Sequence, residues 1–213
     1  MIYHVSTNFL VILGILGVIA QSKEARLDDK QAIAHIKRKN MQGLAHLVAT
    51  YQHQALRAAD VITRDVGLAE DIVQGAFIKV YKRIDQYDTS RPFKAWFMKM
   101  VVNDAIKAVT RRQMVSLDDD QDKIPLGDML PADDADPFFI IMETEDREII
   151  EKALDDLPPQ LRAVIMLKYF LEYSEDEISV TLDEPRSTIK WRLYTARNRL
   201  RLALSPLIYE REA

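Results

Sequence analysis

With 213 residues, the chain has room for one medium domain or two small ones. Hydrophobic residues make up 48% of it, enough for packed cores and against global disorder. It contains no cysteine, which excludes disulfides and thiolate metal or iron–sulfur sites and suits a reducing compartment. Six glycines and few β-branched runs speak against a mainly β protein.

The net charge of −4 is unexpected for a nucleic-acid binder, but it conceals segregation. Residues 91–112 carry six basic side chains (Arg91, Lys94, Lys99, Lys107, Arg111, Arg112) against Asp104, a local +5. Residues 116–136 carry eight aspartates against Lys123, a local −7. Residues 186–201 carry six basic side chains and no acid. Two basic blocks separated by an acidic one fit a nucleic-acid binder, although either block alone also fits an ordinary solvated helix face.

Residues 1–27 form an apolar extension. Its run from Phe9 to Ala20 is shorter than the ~18–20 residues that span a bilayer as a helix. It has neither a Lys/Arg-bearing leader nor a small-x-small cleavage site. Three readings stand: a translation start placed too early, a membrane-associating appendage, and a short core helix.

From Asp28 onward the periodicity is helical. A first helix is expected over 28–39, with Ile33 and Ile36 inward. A second is expected over 40–63, with an apolar stripe of Leu44, Leu47, Val48, Tyr51, Ala55, Ala58, Ala59 and Ile62. Asp65-Val66-Gly67 breaks it, and a third runs over 68–84 on Ile72, Val73, Ala76, Phe77, Val80 and Tyr81. Turn formers Asp88, Ser90 and Pro92 mark a loop, and a fourth helix follows over 93–112. Residues 28–112 make one helical bundle. Residues 113–142 are an acidic, flexible linker.

Residues 143–213 form a second all-α unit of four helices. The first, over 147–157, is stopped by Pro158-Pro159. The second, over 160–171, buries Leu161, Val164, Ile165 and either Leu167 or the stem of Lys168. Ser174-Glu175-Asp176-Glu177 is a capping box that opens a two-turn helix over 175–182. Asp183-Glu184-Pro185 turns the chain into a long helix over 187–204, with Ile189, Leu193, Ala196 and Leu200 as its buried stripe.

A two-turn helix, a tight turn and a longer basic helix have the spacing of a helix-turn-helix. The last helix offers Lys190, Arg192, Arg197, Arg199 and Arg201 away from its buried stripe. Its start, Arg186-Ser187-Thr188, presents free amides, hydroxyls and a guanidinium to a phosphate. The competing reading is a helical hairpin with a solvated basic face. In the first unit, Tyr87, Arg91, Phe93, Lys94, Trp96, Asn103, Lys107, Arg111 and Arg112 interleave aromatics with cations, as single-stranded DNA requires. Trp96 and Phe97 sit at the spacing of core residues; Tyr87 and Arg91 fall in the loop, where binding residues concentrate.

Leu68-Ala69-Glu70-Asp71-Ile72-Val73-Gln74-Gly75-Ala76-Phe77-Ile78-Lys79-Val80-Tyr81 and Pro92-Phe93-Lys94-Ala95-Trp96-Phe97 with Asn103 and Arg111-Arg112 resemble region two of the sigma-70 family. Leu157-Pro158-Pro159-Gln160-Leu161-Arg162, Tyr173-Ser174-Glu175-Asp176-Glu177-Ile178 and Pro185-Arg186-Ser187-Thr188-Ile189-Lys190-Trp191-Arg192-Leu193 resemble its region four. The order, with no region one or three between, is similar to that of extracytoplasmic-function (ECF) sigma factors.

The resemblance implies an alternative sigma factor, cytoplasmic and without enzymatic activity. Such a protein binds core RNA polymerase through the β′ clamp helices and β flap, reads minus-ten and minus-thirty-five promoter DNA, directs transcription initiation and answers to an anti-sigma factor. It implies no cofactor, no metal and no small-molecule substrate. Asp71 and Gln74 would meet the β′ clamp helices. Tyr87 and Asn103 would form the pocket for a flipped minus-ten base, with Arg91, Lys107, Arg111 and Arg112 as further region-two DNA contacts. Lys168, Arg186, Ser187, Thr188, Lys190, Trp191, Arg192, Tyr194 and Arg197 would meet the minus-thirty-five element. The sequence departs from the family pattern at Gly75, where the family prefers Glu, at Trp191 and Thr195 in the recognition helix, and at Asp183, which replaces a turn glycine.

A one-component helix-turn-helix regulator is the alternative; it requires an alternating α/β domain ahead of the linker, where the pattern is helical throughout. An enzyme is the third reading, but His4, His35, His46 and His53 form no i, i+4 ligand pair, and no phosphate-loop or nucleophile-elbow motif is present.

Overall fold

The computed structural model describes residues 27–116 and 152–211, with side chains over 27–112 and 152–204. The apolar extension, the acidic linker and most of the helix expected over 147–157 lie outside the described residues. Every regular element among the described residues is helical.

Helix α1 (Asp29–Lys37) opens on a capping box that sequence reading did not foresee. The Asp28 carboxylate accepts from the Gln31 amide at 2.7 Å, and the Gln31 side chain accepts from the Asp28 amide at 3.0 Å. Helix α2 (Met41–Thr63) crosses α1 at Gly43, where a Cβ would stand 2.1 Å from the Ala32 carbonyl oxygen, so only glycine allows this approach. Its expected stripe is buried apart from Leu44, which is half-buried. Asp65 caps helix α3 (Val66–Arg83), accepting from the Leu68 amide at 2.9 Å. A 3-10 turn (Ile84–Gln86) and a loop lead to helix α4 (Phe93–Ser116).

Residues 152–155 are helical, and Pro159 occupies the first turn of helix α5 (Pro159–Ile165), where its missing N–H costs nothing. The single α-helix expected over 160–171 instead widens into a π-helical segment (Met166–Phe170). There the Leu171 amide donates to the Met166 carbonyl at 3.1 Å. The extra residue in the turn breaks the 3.6 period, so Leu167 is fully buried while Lys168 is half-exposed, deciding between the two expected for the core. Arg162 is buried as well, at 5% exposure, which the apolar pattern did not indicate.

Ser174 and Glu177 form the expected capping box of helix α6 (Glu175–Leu182). Asp183 ends it at φ 58°, ψ 43°, the left-handed conformation that Asp tolerates better than most residues. Helix α7 (Arg186–Arg211) buries Ile189, Leu193, Ala196 and Leu200 as expected, and Leu204 beyond them. Each such buried Ile or Leu contributes roughly 1.5–3 kcal/mol of transfer free energy to seating the helix.

The C-terminal group is not separate in space. Helices α5 and α6 and the π-helical segment pack on α2 and α4, and the buried apolar residues of both groups form one continuous core.

Candidate nucleic-acid interface

The first basic helix, α4, has an aromatic base. Phe97 is fully buried, with ring centroids 4.5 Å from Phe77 and 5.8 Å from Phe93, the latter stacked. Trp96 is half-buried against the same core. Tyr87 lies in the loop, as expected, and is buried there at 6% exposure. Its ring lies 5.0 Å from Trp96 and 5.9 Å from Phe93, and its hydroxyl donates to the Arg91 carbonyl. Burial, followed by the nearby carboxylates of Asp29 and Asp88, raises its pKa. Arg91 is exposed and lies 3.6 Å from Asp88, whose carboxylate also accepts from the Ser90 amide at 2.9 Å.

Further along α4, Lys107 and Arg111 are exposed. Arg112 is held by Asp65, 2.6 Å away, and so ties α4 to the start of α3. Hydrogen bonds from the Leu68 amide and Arg112 lower the Asp65 pKa. Lys79 and Asp104 pair at 2.6 Å between α3 and α4. Asn103 is half-exposed, and its amide nitrogen donates to the Thr181 carbonyl at 3.4 Å. Lys99 donates to the Val180 carbonyl at 2.7 Å. Both acceptors belong to the last turn of α6.

The second basic helix, α7, is governed by acids of its own unit. Arg186 lies 3.2 Å from Glu175 and 3.3 Å from Asp176 in the first turn of α6. Arg192, whose side chain is 17% exposed, turns back to Glu184 at 3.0 Å. The Arg197 guanidinium donates to the Leu193 carbonyl at 3.3 Å. Ser187 and Lys190 are exposed; Thr188, Trp191 and Tyr194 are half-buried, as is Lys168 on the π-helical segment. With about 100° between successive residues, Ser187, Trp191 and Tyr194 share the face opposite Ile189 and Leu193. Trp191 takes no place in the apolar core.

These two helices coincide with two matches to known families. Residues 47–114 match the model of sigma-70 region 2, and residues 147–200 match sigma-70 region 4. The ECF RNA polymerase sigma factor SigW of Bacillus subtilis is 29% identical over 182 residues, covering 84% of this chain and 97% of that protein. The ECF RNA polymerase sigma-E factor of Escherichia coli K12 is 26% identical over 189 residues, covering 86% and 97%. The chain belongs to the sigma-70 family, in its ECF group. In fold it is similar to the sigma factor RpoE of Bartonella quintana, solved with the anti-sigma factor NepR, at TM-score 0.57 and 23% identity over 74% of this chain and 94% of that one.

The region-two match falls on α2 to α4 and the region-four match on α5 to α7. On region two, Asp71 is exposed and Gln74 half-exposed, three residues apart on α3, while Ile72, Val73, Ala76 and Phe77 face the core. The exposed Ile78 lies one turn beyond Gln74. Sequence reading did not assign Lys99 a contact, because its acceptor lies 81 residues away in the chain. Among the described residues no group of His, Asp and Glu could hold a metal ion, and no helix is long and apolar enough to cross a membrane.

Proposed function

We propose that the chain acts as an alternative sigma factor by binding alone, joining core RNA polymerase through region two and region four and carrying it to promoter DNA. The observation that carries this reading is that both DNA-reading units occur in one chain, in the family's order, each with a basic helix seated on a buried apolar stripe. The extension (1–27), region two (28–112), linker (113–142) and region four (143–213) are the proposed divisions.

On α7, Lys190 and Trp191 would read base edges from the first turns, as recognition helices do. Ser187, Thr188, Tyr194, Arg197 and Lys168 would hold the minus-thirty-five backbone, joined by Arg186 and Arg192 once these exchange their acids for phosphate. On region two, Asn103 would take the flipped minus-ten base, with Tyr87 joining it when Trp96 moves aside. Arg91, Lys107, Arg111 and Arg112 would follow the strand's phosphates. The β′ clamp helices would dock at Asp71 and Gln74. An anti-sigma factor is the regulatory partner, supported by the fold shared with a sigma factor solved in such a complex. The site of action is the cytoplasm, where core polymerase and promoter DNA are found.

Run-off transcription with reconstituted holoenzyme tests the reading, and defined start sites at a common promoter pattern are the expected result. Asp71→Ala with Gln74→Ala leaves the core residues untouched. A folded double variant should lose in competition for core polymerase; unchanged competition would sink the docking assignment.

A further inference from the structure

Region two and region four meet at α4, the helix of region two that would touch DNA. Lys99 and Asn103 of α4 donate to the Val180 and Thr181 carbonyls, two of the acceptors that a helix end leaves without intrahelical partners. Lys94 of α4 stands with its ammonium 5.9 Å from the centre of the Tyr173 ring. Arg57 of α2 lies 4.7 Å from the Phe170 ring, and Arg64, at the end of α2, pairs with Asp155. Three polar side chains of α4 are therefore committed to region four.

The contact is also incomplete. The Tyr173 hydroxyl and the Nε of Arg162 are buried with no hydrogen-bond partner among the described residues. Buried polar groups left in this state disfavour the arrangement that buries them. Asp155 is the acid that favours the charge of Arg162, yet it is paired with Arg64 of the other unit. Separation of the units would release Asp155 from Arg64 and expose Tyr173 to water.

Resting on the reading of α4 as the strand-binding helix, we propose that the chain occludes itself: region four docks on α4 through Lys99 and Asn103, so a single DNA strand and the closed packing compete for Asn103 and for the helix face around it. Opening and strand binding are then one linked equilibrium, in which whatever separates the units makes α4 available. The region-four partners in this contact are Asp155, Phe170, Tyr173, Val180 and Thr181, which precede the recognition helix α7, so the occlusion acts on region two.

The chain has no cysteine, so a pair introduced at the Arg64–Asp155 contact is unique. In the full chain carrying Arg64→Cys and Asp155→Cys, a short bismaleimide locks the closed form, while the unlinked variant lacks one clasp and keeps every proposed DNA contact. The probe is a fluorescein-labelled pool of random-sequence single-stranded DNA, followed by anisotropy. The unlinked variant should bind at least ten-fold more tightly than the linked one, with wild type between, and adding the pool before the linker should lower the cross-linking yield. Equal affinity of linked and unlinked chains, with a yield indifferent to DNA, overturns the occlusion alone. Lys107→Ala with Arg111→Ala in the unlinked chain reports on the underlying reading. If that change leaves binding intact, the strand does not lie on α4, and the occlusion falls with the assignment.

Discussion

The two basic helices carry similar charge and are restrained by different means. On α4 the inner polar residues Lys99 and Asn103 are satisfied by backbone carbonyls of the other unit. On α7 the restraint is local, with Arg186 and Arg192 held by Glu175, Asp176 and Glu184 within one helix-turn-helix. The availability of α4 therefore depends on how the two units are arranged, whereas α7 needs only to exchange nearby acids for phosphate. Their aromatic residues differ in the same sense: Phe97 of α4 is central to the core, and Trp191 of α7 stands outside it.

The largest expected effect breaks that aromatic contrast. Phe97→Ala removes a fully buried ring in contact with Phe77, Phe93 and Tyr51 and should cost about 3–5 kcal/mol of stability. Trp191→Ala should move the melting temperature little and change promoter choice instead. Thermal melts of both variants beside wild type check the pair; a drop for Trp191→Ala as large as that for Phe97→Ala would place the indole in the core.

Next in size are the base and backbone roles within α7. Lys190 is exposed in the first turns, so Lys190→Ala should cost ~1–3 kcal/mol of promoter discrimination with the fold unchanged. Arg197 lies farther along and is tied to a main-chain carbonyl. Arg197→Ala should weaken all promoters alike and reduce the salt slope by about one. Holoenzyme binding across a promoter panel at several salt concentrations separates them.

A smaller effect concerns region two. Gly75 lies within α3, and a Cβ there would meet no atom within 4 Å. Gly75→Ala should therefore stabilise the fold by up to ~1 kcal/mol through helix propensity, read as a raised denaturant midpoint. Any loss of stability would mean that the position needs glycine for a reason its surroundings do not display.

How much of this was legible follows from the range of each interaction. The Ser174–Glu177 capping box spans three residues, and the Ile189–Leu200 stripe obeys the helical period, so both were visible in the sequence. Asp183 was recognisable as a turn residue that accepts positive φ. The π-helical segment was not, because one widened turn of five residues leaves no period of its own in the sequence. The burial of Tyr87 was not legible, since a loop position gives no sign of the Phe93 and Trp96 rings that cover it. Lys99 and Asn103 could be counted as polar residues of a basic helix, but their partners lie about 80 residues away and are main-chain carbonyls, which leave no mark in sequence. Arg162 was hidden for a related reason: a cation in an apolar helix reads as an exposed residue.

The smallest expected effect isolates the charge that holds Arg112 back. Asp65 serves both as the cap of α3 and as the partner of Arg112. Asp65→Asn keeps an oxygen for the Leu68 amide and removes the negative charge, so the loss should stay within the ~0–1 kcal/mol typical of exposed ion pairs. The Asp65 pKa is depressed in the folded chain, by the Leu68 amide first and by Arg112 next. A depressed carboxylate pKa contributes stability that is fully present above the unfolded value, near 3.9, and is lost as pH falls through the lower folded value. The difference between wild type and Asp65→Asn should therefore be constant from neutral pH down to about pH 5 and shrink below it. Added salt should reduce it as well, since the pair is largely exposed. Denaturant titrations at several pH values check the window, and a difference that persists in acid would assign the role of Asp65 to the cap alone. Freed from its acid, Arg112 should also contribute a stronger phosphate contact. Asp65→Asn would then bind single-stranded DNA slightly more tightly than wild type, and would do so even in a chain whose two units are locked together.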